Sequence, residues 1–140
     1  MKGLKVLLVD DEQEFLETLS KRLEMRDVQT KLALDGKQAL EAVQAEEPDV
    51  MVLDLKMPGM DGMEVLRRIK SAFPGVPVVM LTGHGTKKDE DQARELGAYA
   101  YLQKPVELKR LSEILREAFE STAAERAQRA AEADGPLATS

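Results

Sequence analysis

The sequence predicts an α/β fold: a doubly wound parallel sheet of five strands in the order 2-1-3-4-5, with helices on both faces. Three observations predict it. Continuous β-branched and leucine-rich runs at residues 6–9, 50–55 and 76–81 lack the alternation of half-exposed strands, the pattern of strands buried on both faces. Amphipathic stretches of helical spacing separate these runs. The strand and helix alternation repeats five times in about 120 residues, and right-handed crossovers then leave little topological choice.

The elements follow in order. The first strand leads into a helix carrying Phe15, Leu16, Leu19 and Leu23 on one face. A second strand spans 28–33, and Asp35-Gly36 opens a helix with Ala39, Leu40 and Val43 inward. After the third strand, Asp61-Gly62 opens a helix buried through Val65, Leu66 and Ile69. After the fourth, residues 86–96 are crowded with Lys87, Lys88, Asp89, Glu90 and Asp91. Only Ala93 and Leu96 mark a buried face there, so this element is the least anchored to the core. A fifth strand at 98–103 precedes a last helix, beginning near Val106, with Leu108, Leu111, Leu115 and Ala118 aligned. Pro48, Pro74 and Pro77 fall outside helical interiors.

Past Phe119 the chain turns alanine-rich, with interspersed Glu and Arg. High helix propensity with little apolar surface predicts a solvated extension, frayed before Gly135-Pro136. The heptad does not continue beyond Ala118, which argues against a dimer zipper. The expected organisation is one domain over 1–120, then a helical extension and flexible tail over 121–140, with no output domain.

Composition narrows the function. Among 140 residues, 20 basic and 26 acidic side chains give a formal charge of -6, which provides no electrostatic footprint for nucleic acid. There is no cysteine and one histidine, so any metal must be held by oxygen. The apolar run at 6–9 is too short for a signal-peptide core or a membrane span, and the expected location is cytoplasmic.

In such sheets ligands sit beyond the carboxyl ends of the strands. Asp10 and Asp11 end the first strand, Asp54 the apolar part of the third, Thr82 the fourth and Lys104 the fifth. Three converging carboxylates repel one another and call for a cation. Mg²⁺ is the natural one, since it takes oxygen ligands and is commonly held by one or two carboxylates plus a phosphate. A carboxylate in that setting can act as a nucleophile and form an aspartyl-phosphate, with Mg²⁺ and Lys104 supplying positive charge and Thr82 a hydroxyl.

Val9-Asp10-Asp11-Glu12, Leu53-Asp54-Leu55, Met57-Pro58-Gly59-Met60-Asp61-Gly62, Leu81-Thr82-Gly83 and Lys104-Pro105, in that order over roughly residues 4–120, resemble the receiver domains of bacterial response regulators. The resemblance implies a flavodoxin-like fold and a two-component signalling role. By it, Asp54 is the phosphoacceptor, Asp11 a direct Mg²⁺ ligand, Asp10 an acid acting through water, and the Lys56 backbone carbonyl a further ligand. Lys104 pairs with the phosphoryl group, and the bond before Pro105 is cis, aiming the lysine inward. Thr82 moves toward the phosphoryl group while Tyr101 rotates inward, altering the face of the fourth helix, fifth strand and fifth helix. Lys56 and His84 flank the site and tune phosphoryl lifetime. The implied partners are a sensor histidine kinase or phosphotransfer protein and an unnamed downstream protein, with no nucleic acid or membrane, the chain being a monomer or a weak phosphorylation-dependent dimer.

Plainer readings stand beside these. Asp10 or Asp11 can cap the first helix, Asp61 the third and Thr86 the fourth. Tyr101 can be a sheet-edge aromatic, and the charges at 87–91 a solvated face. Three other functions compete. A non-phosphorylated docking module is disfavoured by the filled site. A phosphatase with an aspartyl-phosphate intermediate looks for a second acid where Lys56 stands. A flavin-binding domain wants a phosphate-cradling loop where this chain is acidic.

Overall fold

The computed structural model describes residues 3–139; Met1, Lys2 and Ser140, which the amino-terminal and tail readings include, lie outside the described residues. Five strands, β1 (Leu4–Val9), β2 (Val28–Ala33), β3 (Val50–Leu53), β4 (Val78–Thr82) and β5 (Ala100–Gln103), alternate with five helices. The helices are α1 (Gln13–Glu24), α2 (Gly36–Ala45), α3 (Gly62–Ala72), α4 (Lys87–Glu95) and α5 (Leu108–Thr139). All strand pairs are parallel, in the order β2-β1-β3-β4-β5.

Side-chain alternation along the central strands divides the core in two. Leu7, Val9, Met51, Leu53, Val78 and Met80 face α2, α3 and α4, where Ala39, Val43, Val65, Leu66, Ile69 and Ala93 meet them. Val6, Leu8, Val50, Val52, Val79 and Leu81 face α1 and α5, against Leu16, Leu23, Leu111, Ile114 and Leu115. β3 and β4 are buried at every position, so both faces of these strands are covered, and this is why their sequences run apolar without alternation. Each fully buried Leu or Ile contributes about 1.5–3 kcal/mol relative to exposure.

Caps fix the helix starts. The Asp35 carboxylate accepts from Gln38 N–H at 2.8 Å and that of Asp61 from Glu64 N–H at 3.0 Å. Thr86 and Asp89 form a reciprocal capping box on α4, satisfying two end groups of a helix whose only fully buried residue is Ala93. The last helix runs from Leu108 to Thr139. It starts at Leu108, two residues past Val106, where the Glu107 carbonyl accepts from Leu111 N–H at 2.9 Å as the first helical bond. It then continues as a helix to Thr139, in keeping with the helical extension expected past Phe119.

Candidate active site at the carboxyl edge of the sheet

Backbone pairing continues just past the strand ends and carries the polar residues into one place. Asp10 N–H donates to the Ala33 carbonyl at 3.2 Å, Asp54 N–H to Val9 at 2.9 Å, and Lys104 N–H to Thr82 at 2.9 Å. Asp10, Asp54 and Thr82 are buried, whereas Asp11 is exposed at the rim. Carboxylate oxygens of Asp10, Asp11 and Asp54 all lie within 4.8 Å of one another.

Lys104 reaches into this group from β5. Its Nζ lies 2.6 Å from Asp10 Oδ2 and 3.3 Å from Glu12 Oε1, and 4.1 Å above the centroid of the Phe15 ring. The Lys104-Pro105 peptide is cis. Asp10 has a second task, accepting Glu12 N–H at 2.9 Å, so it serves the first turn of α1 as well as the lysine. Asp54 accepts the N–H of Leu55 at 2.8 Å.

The electrostatics follow from this arrangement. Burial first, then the charge of Asp10, push the Asp54 carboxyl above the usual carboxylate range, against the pull of Lys104, the Thr82 hydroxyl and Leu55 N–H. Burial on its own pulls the Lys104 ammonium down. The hydrogen bond and charge of Asp10, with Asp54 and Glu12, outweigh it and hold Lys104 above the usual lysine range. Asp54 is therefore short of positive charge even with the lysine in place. A hard divalent cation fits that deficit: the donors are all oxygen, three carboxylates are within reach of one ion, and Asp54 is destabilised in its charged form.

Tyr101 lies inward, 8% exposed and packed in the core cluster on the α4 side, and its hydroxyl has no hydrogen-bond partner. Burial, then the charges of Asp89, Glu90 and Asp54, push its phenol above the usual range. Thr82 is fully buried beside it, its Oγ1 accepting His84 N–H at 3.2 Å. The side chains of Lys56 and His84 are exposed next to the site rather than part of the cluster. Asp61 is engaged in capping α3.

Several contributors escape sequence reading. Glu12 and Phe15 touch Lys104, yet appear in the sequence only as a motif residue and an apolar helix position. Gly85 makes room for Tyr101: a Cβ there would lie 1.5 Å from the phenol oxygen. Gly62 does the same for the Asp54 backbone, since its Cβ would fall 2.2 Å from the Asp54 carbonyl oxygen. The signal for Gly62, an Asp-Gly pair opening a helix, says nothing of that approach.

Comparison with known proteins agrees with this geometry. Residues 6–116 match the response regulator receiver domain family. The chain is 34% identical over 116 residues to sporulation initiation phosphotransferase F of Bacillus subtilis, covering 83% of this chain and 94% of that protein. It is also 34% identical to response regulator MprA of Mycolicibacterium vanbaalenii over 81% of this chain, but spans only 49% of that relative's length. Among solved structures, a CheY-like receiver domain protein from Methanospirillum hungatei superposes with a TM-score of 0.84 at 27% identity, covering 89% of this chain and 99% of that one. A receiver domain from Clostridium thermocellum gives 0.81 at 33% identity, covering 86% and 97%. No helix among the described residues is long and apolar enough to cross a membrane. With its fold, its edge-of-sheet acids and its sequence all in agreement, the chain belongs to the response regulator receiver domain family.

Proposed function

We propose that this receiver domain is a phosphorylation-controlled switch in which Asp54 accepts a phosphoryl group, with Mg²⁺, from a sensor histidine kinase or a phosphotransfer protein. The observation that carries the reading is the meeting of Asp10, Asp11 and Asp54 with the Lys104 ammonium and the Thr82 hydroxyl at one sheet edge.

In the proposed step an Asp54 carboxylate oxygen attacks phosphorus while the bond from phosphorus to the donor's imidazole nitrogen breaks, the electron pair leaving with that nitrogen. Asp11, Asp54, the Lys56 backbone carbonyl and, through water, Asp10 would hold the metal. Bound there, Mg²⁺ would supply positive charge to the phosphoryl oxygens and favour the ionised form of Asp54. Lys104 releases part of its hold on Asp10 to meet a phosphoryl oxygen, and the Thr82 hydroxyl donates to another.

The Thr82 shift is relayed to Tyr101, whose ring occupies the space under Gly85, and so to the face of α4, β5 and α5 that a downstream protein reads. The sparse burial of α4 supports its role as the movable element. Lys56 and His84, exposed beside the site, set how long the phosphoryl group survives. The relative named a phosphotransferase, most of whose length this chain spans, supports onward transfer of the group as well.

Incubating the protein with Mg²⁺ and acetyl phosphate tests the reading by intact-mass spectrometry. One phosphoryl adduct is expected on the native chain and none on Asp54→Asn. An unmodified native chain points instead to a docking module that works without phosphorylation.

A further inference from the structure

Among the described residues Lys104 is the one cation inside the acidic cluster, and what holds it there is not only carboxylate. Its ammonium has three N–H donors. One meets Asp10 Oδ2 at 2.6 Å and another Glu12 Oε1 at 3.3 Å, while the ammonium lies 4.1 Å from the centroid of the Phe15 ring. The lysine side chain is 16% exposed and Asp10 2%, whereas Glu12 at 64% stands in solvent and binds weakly. The ring is therefore the second sheltered partner of this cation. Phe15 lies in the first turn of α1, and it is half-buried, outside the buried row of Leu16, Leu19 and Leu23 that anchors the helix to the sheet.

We propose that the face of the Phe15 ring is a cation–π platform that positions the Lys104 ammonium beside Asp10, ready for the phosphoryl group on Asp54. The inference rests on the phosphoryl-acceptor reading for its consequence, but not for its geometry. A lysine side chain has four rotatable bonds and loses substantial rotamer entropy when fixed. A ring face attracts a cation without fixing the direction of any N–H. The ammonium is thereby kept at the site while its N–H bonds stay free to change partners, from Asp10 or Glu12 to a phosphoryl oxygen. A carboxylate in place of the ring would hold the cation more tightly and compete with the phosphoryl group. An aliphatic residue would fill the space without attracting the charge.

The test combines two readouts on four forms of the protein: native, Phe15→Leu, Phe15→Tyr and one with a ring-fluorinated phenylalanine at position 15. In the absence of metal and phosphoryl donor, the Lys104 ε-methylene protons resonate upfield through the ring current in the native protein and in Phe15→Tyr, and move to ordinary lysine positions in Phe15→Leu. With Mg²⁺ and acetyl phosphate, Phe15→Leu takes up the phosphoryl group roughly five-fold more slowly, matching the strength of a partly sheltered cation–π contact. Phe15→Tyr restores the native rate, and a ring-fluorinated phenylalanine at position 15, equal in shape but weaker in attraction, falls between. Ordinary Lys104 resonances in the native protein overturn the platform. Upfield resonances with equal phosphorylation rates in native and Phe15→Leu overturn the positioning role. Upfield resonances in a native protein that is never phosphorylated sink the phosphoryl-acceptor reading and leave the ring contact as structural, so the two failures are distinguishable.

Discussion

Replacing Gly85 by alanine should turn Tyr101 out of the core without unfolding the domain. A Cβ at position 85 would lie 1.5 Å from the Tyr101 oxygen, 2.7 Å from its ring carbon Cζ and 3.0 Å from Thr82 Cγ2, so alanine and the inward ring exclude each other. A buried tyrosine covers about 150–250 Å², and losing roughly half of that on rotation costs about 2.5 kcal/mol at ~25 cal/mol per Å². Against this, the phenol oxygen, which has no partner inside, regains water, worth about 1–3 kcal/mol. The stiffer unfolded chain contributes a further ~0.4–1 kcal/mol. The sum is a stability within about 1 kcal/mol of native, with Tyr101 exposed. The assay is direct because the chain has two tyrosines and no tryptophan, so the tyrosine band of the near-ultraviolet spectrum, above the phenylalanine absorption, reports Tyr99 and Tyr101. In the native protein burial and the acids of α4 hold the Tyr101 phenol above its usual range. The corresponding stability is present below the unfolded phenol's pKa and is lost as pH rises through the folded one. In Gly85→Ala that titration should fall back toward the ordinary range. An unchanged tyrosine spectrum and phenol titration would refute the reasoning, as would a loss of several kcal/mol.

Other perturbations read other parts of the site. Burial and Asp10 raise the Asp54 pKa, so without metal the folded state loses stability as pH rises from the unfolded carboxylate's pKa through the folded one; Asp54→Asn should be more stable than native at neutral pH, and the two melting curves should converge in acid. Adding Mg²⁺ should raise the native melting temperature, approaching ~2.7 kcal/mol of stabilisation at a hundred times its Kd, and Asp11→Ala should abolish most of that rise. Gly62→Ala should destabilise by about 3 kcal/mol in urea titrations and impair phosphorylation. Its Cβ meets the Asp54 carbonyl oxygen at 2.2 Å and Leu55 Cα at 2.8 Å, and backbone cannot step aside as a side chain can.

The sheet and its strand order were legible because β3 and β4 are buried at every position and run apolar up to Thr82, and because helical spacing filled the gaps between strands. The convergence of Asp10, Asp54, Thr82 and Lys104 was legible for the same reason: in a parallel sheet every strand ends at the same edge. What stayed hidden depends on side-chain direction and close approach. Whether Phe15 faces the core or the site is decided by a small rotation of α1, which apolar spacing does not resolve. Gly85 and Gly62 matter for atoms their missing Cβ would strike, Tyr101 on β5 and the Asp54 backbone just past β3, and no local pattern encodes such a close approach. Strand bounds shifted for a simpler reason. The apolar runs at 50–55 and 76–81 include residues that are buried beyond the ladder, such as Leu55 and Val76.

The account turns on which atom takes the phosphoryl group. Reducing the Mg²⁺ and acetyl phosphate adduct with borohydride and sequencing its peptides by tandem mass spectrometry locates that atom. The account predicts homoserine at position 54 and at no other aspartate, Asp10 and Asp11 included. Homoserine at either of those positions, or an intact Asp54 in protein that carries the adduct, would contradict it.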